Sequence, residues 1–172
     1  MLPALGLNSA VITIVGQNYG AGLYDRVHQT YVVSLKIGAL IACVAIPVMI
    51  LLSPALLKLF SSNDAVITTG TLYLRIDAMV FFAYVILFQS MACLQGIKKP
   101  LFPMGLGLVR HLIAPATLYY VLINVYEFSY VAVFWSLFGI VLVSAVVSHL
   151  FVTSKLQVLT QNKDLTATFD SN

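Results

Sequence analysis

Gly16-Gln17-Asn18-Tyr19-Gly20-Ala21-Gly22 closes the first apolar segment of the chain and opens a short polar turn, Leu23 to Gln29. Gly16 and Gly20 stand four apart, so on a helix both lie on one face. In lipid, small residues at that spacing let a second backbone come close, because helices there associate through contact rather than by expelling water. The amides of Gln17 and Asn18 need partners from a neighbouring helix or from water. Two readings stand side by side: a packing surface that includes Ala21, or a helix end with turn glycines. No strand-like run precedes the glycines, so a nucleotide-binding loop does not fit.

Composition decides the class. Of the 172 residues, 60% are hydrophobic and 9% charged, with a mean hydropathy of +0.98. A soluble domain carries about 25% charged residues, so this chain has too few polar groups to cover a surface in water. It reads as an integral membrane protein whose first partner is the lipid bilayer. A net charge of +3, spread along the chain, does not make a nucleic-acid site. Cys43 and Cys93 fall in apolar runs and have no metal-ligand spacing, so they read as small packing residues. No metal and no cofactor is expected.

A spanning helix needs roughly 20 apolar residues. Five segments approach that length, at about 2–20, 33–57, 74–97, 101–126 and 130–152, followed by a polar tail at 154–172. The expected fold is therefore all-α and polytopic, with about five transmembrane helices. Pro47 and Pro54 should bend the second segment or end it locally, and Ser62 or Asn63 can cap the third. The tail has too few apolar residues to pack and is expected to fray. Arg26 and Lys36, then Lys98 and Lys99, then Lys155 and Lys163 fall on one side of such a topology. The positive-inside rule makes that side cytoplasmic, which puts the N-terminus outside the plasma (inner) membrane. An external start implies that further helices precede this chain.

In pattern the chain resembles the C-terminal lobe of the multidrug and toxic compound extrusion family, known as MATE. The resemblance lies in Leu5-Gly6-Leu7-Asn8-Ser9-Ala10 and in Val15 to Gly22 with Arg26. It continues in Leu59-Phe60, Tyr73-Leu74-Arg75-Ile76, Leu94-Gln95-Gly96, Lys98-Lys99-Pro100 and Pro103-Met104. It implies helices eight to twelve of a two-lobe, twelve-helix transporter, without the N-terminal lobe and the seventh helix. It further implies export of small organic cations or amphipathic compounds in exchange for Na⁺ or H⁺, and no enzyme activity. The alternatives are a lipid-linked oligosaccharide flippase of the same superfamily, or a truncated remnant that does not transport. Some members carry an acid midway along the tenth helix; here that level reads Phe82-Ala83-Tyr84-Val85 and has none.

The candidate substrate or ion pathway therefore comprises Asp77, Tyr84, Gln89, Gln95, Arg110 and His111. An ionisable group inside a membrane is a functional candidate, because burying it unpaired is expensive. Asp77 is the acid nearest an apolar span; it lies either in the interior or in the outer headgroup region. Arg110 falls about 15 Å along a helix that starts at Pro100, counting 1.5 Å per residue. That depth should turn it toward the cleft side of the lobe, unless Phe102–Gly107 forms an irregular entry that lifts it to the interface. His149 reads as an interfacial residue near the end of the last segment.

Overall fold

The first helix stops at Gly22. This computed structural model describes the backbone of residues 2–124 and 130–170, and the side chains of residues 6–118, 120 and 135–161. Helix α1 runs over Leu2–Gly20. Gly22 takes a φ of 71°, the left-handed conformation that a residue without a Cβ adopts freely. Leu23 N–H then donates to Asn18 O at 2.9 Å and Gly22 N–H to Tyr19 O at 3.2 Å. This pair of bonds is the Schellman stop, which satisfies the last carbonyls of a helix. The helix end with turn glycines, one of the two readings of the opening stretch, is seen here.

The expected polar turn at Leu23–Gln29 is mostly helix. Helix α2 begins at Tyr24 and continues to Lys58. Asp25, Arg26, His28 and Gln29 are exposed, while Val27, Tyr31, Ser34 and Gly38 are buried at helical spacing. Neither proline ends α2. Pro54 has no N–H to give Ile50 O, and the Ser53 hydroxyl donates to that carbonyl instead, at 3.2 Å.

Helix α3 spans Asp64–Gly96, starting ten residues before the expected 74. Asn63 caps it, its Oδ1 accepting from Ala65 N–H at 2.9 Å. A second Schellman stop ends it: Lys99 N–H donates to Leu94 O at 2.9 Å, with Lys98 in the left-handed position at φ 60°. Helix α4 (Leu101–Leu108) passes through a π-helical turn, Val109–Ile113, into α5 (Ala114–Asn124). Pro115 follows that turn. Its ring would press on the carbonyl of His111 in a regular helix, and a wider turn relieves the contact. The expected end of this segment near Tyr126, and Glu127, lie outside the described residues.

Helix α6 is continuous over Tyr130–Asp170 and so runs on into the segment expected as a polar tail. Leu156, beyond the expected boundary at 152, is 2% exposed and belongs to the core. Among the described residues all elements are helical, and four meet the length and hydropathy of a membrane span: Tyr24–Lys58, Asp64–Gly96, Leu101–Leu118 and Trp135–Gln161. The segment expected at 2–20 is the 19-residue α1.

Helix α3 is the central element. In its apolar stretch 56% of residues are buried, against 11% in α2. At one end it meets α1, α2 and α6 in a cluster of Val15, Val27, Tyr31, Leu94, Ile97 and Val152; at the other it meets α6 through Val80, Leu87 and Val141. At Gly96 the helices α1 and α3 approach closely. A Cβ there would stand 2.5 Å from Val15 Cγ1 and 3.1 Å from Ile12 O. Gly38 is likewise pressed against Val85. Of the opening glycines, Gly16 faces this contact and Gly20 does not. A Cβ on Gly16 would stand 3.7 Å from Gly96 O, an ordinary contact, and one on Gly20 would meet nothing within 4 Å.

Candidate functional site

Tyr73, Asp77, Tyr84 and Phe88 recur at helical spacing and lie along one face of α3. Tyr73, Asp77 and Tyr84 line a pocket of about 70 Å³ against Leu137, Phe138 and Val141 of α6. At roughly 30 Å³ per water, that is room for about two water molecules. Asp77 is half-buried there. The pocket offers one carboxylate and two phenols. Among the described residues, no group of three or more His, Cys, Asp or Glu side chains is placed to hold a metal ion.

Arg110 sits next to this row. Helix α4 begins regularly at Leu101, so the irregular entry at Phe102–Gly107 is not seen. The side chain turns inward, 8% exposed, with its guanidinium carbon 5.7 Å from the centre of the Tyr84 ring and 5.9 Å from that of Phe88. Such stacking on aromatic faces is favourable for a guanidinium held away from water. Arg110 thus faces the bundle interior, packed on α3, and not the interface. Its Nη2 donates to His111 Nε2 at 3.0 Å, while His111 Nδ1 lies 3.0 Å from Gly107 O. A carbonyl only accepts, so Nδ1 carries the ring hydrogen and Nε2 supplies the lone pair. The Nε of Arg110 is buried without a hydrogen-bond partner.

The remaining candidates do not join this row. Gln89 is 1% exposed in α3 and its Oε1 has no partner, whereas Gln95 is exposed near the end of the same helix. His111 is exposed apart from its two bonds. In the opening stretch Gln17 and Ala21 are exposed, and Asn18 donates to Ile14 O of its own helix at 2.8 Å. Of the site residues, Asp77, Tyr84 and Arg110 are brought together.

One constellation has no counterpart in the expected pathway. Tyr31 of α2 is 2% exposed, and its hydroxyl lies 2.8 Å from Ser90 Oγ of α3 and 2.7 Å from His149 Nδ1 of α6. His149, expected at the interface, is tied into the junction of three helices. The one local sign is that Tyr31 shares a buried face with Val27 and Ser34; nothing nearby in the chain points to a partner 118 residues away.

Long apolar helices around one central helix, with a carboxylate, aromatic rings and a guanidinium turned inward, define a polytopic membrane protein. The family model MatE matches residues 1–121, and the chain belongs to that family. No curated protein matches it by sequence. Among solved structures it is similar to a MOP superfamily transporter from Pyrococcus furiosus described for the reverse polarity of its binding pocket (20% identity, TM-score 0.83). It is also similar to a multidrug resistance MATE transporter in an outward-facing conformation (22%, TM-score 0.82) and to a MATE protein in the straight conformation (19%, TM-score 0.83). In each case 92% of this chain is covered but only 36% of the other. The chain thus spans about a third of the transporters it matches.

Proposed function

We propose that the chain supplies helices of one lobe to a secondary active transporter that exports cationic or amphipathic compounds in exchange for Na⁺ or H⁺. The observation that carries this is Asp77, half-buried with Tyr73 and Tyr84 in a pocket between α3 and α6. A carboxylate flanked by phenols attracts a cation, and in a membrane interior it gains most when one is bound. Export would follow from two lobes rocking about a shared cleft while cation and substrate bind alternately. The second lobe would come from outside these 172 residues. The orientation proposed is an external N-terminus and a cytoplasmic C-terminal end in the plasma membrane.

The test is gradient-driven efflux of a fluorescent organic cation from cells that produce this lobe together with the second lobe of the transporter, native or as Asp77→Asn. Efflux should depend on an inward Na⁺ or H⁺ gradient and fall at least tenfold in the variant, with insertion unchanged. Native efflux by Asp77→Asn, or none by the native protein, counts against this function. A second reading, translocation of a lipid-linked oligosaccharide, is favoured by Arg110, the charged side chain most deeply buried among the described residues. It requires that Arg110→Leu, rather than Asp77→Asn, removes transport, and that the cargo is anionic.

A further inference from the structure

Between α2, α3 and α6 lies a cavity of about 500 Å³. Leu35, Ala39, Met79, Phe82 and Leu142 are among its apolar walls, and His149 is its one polar lining side chain among the described residues. Met79, Phe82 and Leu142 are also exposed on the flank of the bundle, so the cavity opens onto an apolar surface of membrane-spanning helices.

His149 meets this cavity with its polar chemistry already arranged. Its Nδ1 is taken by the Tyr31 hydroxyl, which is bonded in turn to Ser90. Tyr31 has a single hydrogen, so two proton patterns satisfy the row. In one, Ser90 donates to Tyr31, Tyr31 donates to Nδ1, and Nε2 carries a hydrogen. In the other, Nδ1 donates to Tyr31, Tyr31 donates to Ser90, and Nε2 offers a lone pair. Switching between them exchanges the ring hydrogen between Nε2 and Nδ1 and rotates the two hydroxyls, but moves no heavy atom. Among the described residues Nε2 has no hydrogen-bond partner, and it is not one of the buried, unpartnered atoms. It is left for whatever fills the cavity, as a donor or as an acceptor.

We propose that this cavity binds a neutral amphipathic molecule, with a hydrocarbon body and a hydroxyl head group, which enters from the bilayer and hydrogen-bonds to His149 Nε2. Apolar pockets of about 300–1,000 Å³ with a few placed polar groups are the usual form of small-molecule sites. At roughly 30 Å³ per heavy atom the volume holds about 16 such atoms. A hydroxyl both donates and accepts, so it suits either state of the ring. Among the described residues no carboxylate, lysine or arginine lines the cavity, so a charged head group would be left without a counter-ion there. The site is separate from the Asp77 pocket and does not depend on the transport reaction proposed above.

The test uses the 172-residue chain in phosphatidylcholine nanodiscs. The probes are a long-chain fatty alcohol carrying a mid-chain diazirine and the matching alkane without the hydroxyl. After illumination, labelled residues are mapped by mass spectrometry. The alcohol should label residues 79–86 and 142–150 several-fold more than the alkane. His149→Leu should bring the alcohol down to the alkane level. Ala39→Phe, which fills the cavity without touching the hydroxyl row, should remove labelling by both; circular dichroism and size-exclusion behaviour establish that each variant is folded. Equal labelling of the native chain by the two probes would mean ordinary lipid contact and overturn the proposal. So would labelling by neither, or a preference for alcohol that survives in both variants.

Discussion

Gly96→Ala is the sharpest test of the packing. The added methyl would stand 2.5 Å from Val15 Cγ1, 2.7 Å from Val15 Cβ and 3.1 Å from Ile12 O. These are not the free ends of a flexible chain. A β-branched side chain is stiff at χ1, and a helix carbonyl moves only with its helix, so α1 and α3 must separate. Overpacking of this kind destabilises by about 1–3 kcal/mol. Alanine recovers up to about 1 kcal/mol of helix propensity relative to glycine. The net loss should be on the order of 1–2 kcal/mol, a factor of about 5–30 in the folded-to-unfolded ratio. Gly20→Ala is the internal control, since a Cβ there meets nothing within 4 Å; it should leave stability unchanged or slightly raised. Both are measured by reversible denaturant titration of the purified chain in detergent, followed by far-UV circular dichroism. Val15→Ala in the Gly96→Ala background should restore part of the loss by removing the nearest methyl. Native stability of Gly96→Ala, or equal losses at positions 96 and 20, would refute the assignment of the close approach to Gly96.

Three further outcomes are expected. Lys98→Gly should stabilise the same chain by roughly 0.5–1 kcal/mol, because a left-handed backbone costs a residue with a Cβ about 1–2 kcal/mol and glycine returns part of that as chain entropy; an unchanged or lower midpoint would refute it. Tyr31→Phe should cost about 1–3 kcal/mol by stranding Ser90 and His149 Nδ1, and should speed amide exchange in α6 around residue 149; a wild-type melt and wild-type exchange would deny the hydroxyl this role. For topology, a membrane-impermeant thiol reagent applied from outside to a chain freed of Cys43 and Cys93 should label Asn63→Cys and spare Lys98→Cys; the reverse pattern would invert the orientation.

Much of the helical layout was legible because lipid imposes length and apolar content directly on the chain. Boundaries were less so, since polarity was taken as a break where it marked only one face of a helix. Asp25, Arg26, His28 and Gln29 are exposed while Val27 and Tyr31, four apart, are buried, a helical period readable beforehand. Leu156 shows the same effect at the other end, four residues beyond Val152 and buried in the same cluster. The Tyr31–Ser90–His149 row was not legible. Each member belongs to a different helix, and no local pattern encodes which faces of three helices meet.

Arg110 separates distance along a helix from direction around it. Its position along the helix followed from counting residues, because the segment does start at Leu101 and each residue adds about 1.5 Å. Its direction did not follow. A projection through this segment assumes 3.6 residues per turn, or about 100° per residue. The π-helical turn at Val109–Ile113 places an extra residue in one turn, so side chains beyond it are displaced by about that angle. The sequence does carry the cause, Pro115, whose missing N–H and bulky ring disturb the preceding turn. What it does not show is whether the chain answers by kinking or by widening. Widening is the answer here, and with it the guanidinium lies over Tyr84 and Phe88. Arg110 is the second residue of that turn, so the row Asp77, Tyr84, Arg110 meets at the backbone irregularity itself, where a regular projection is least informative.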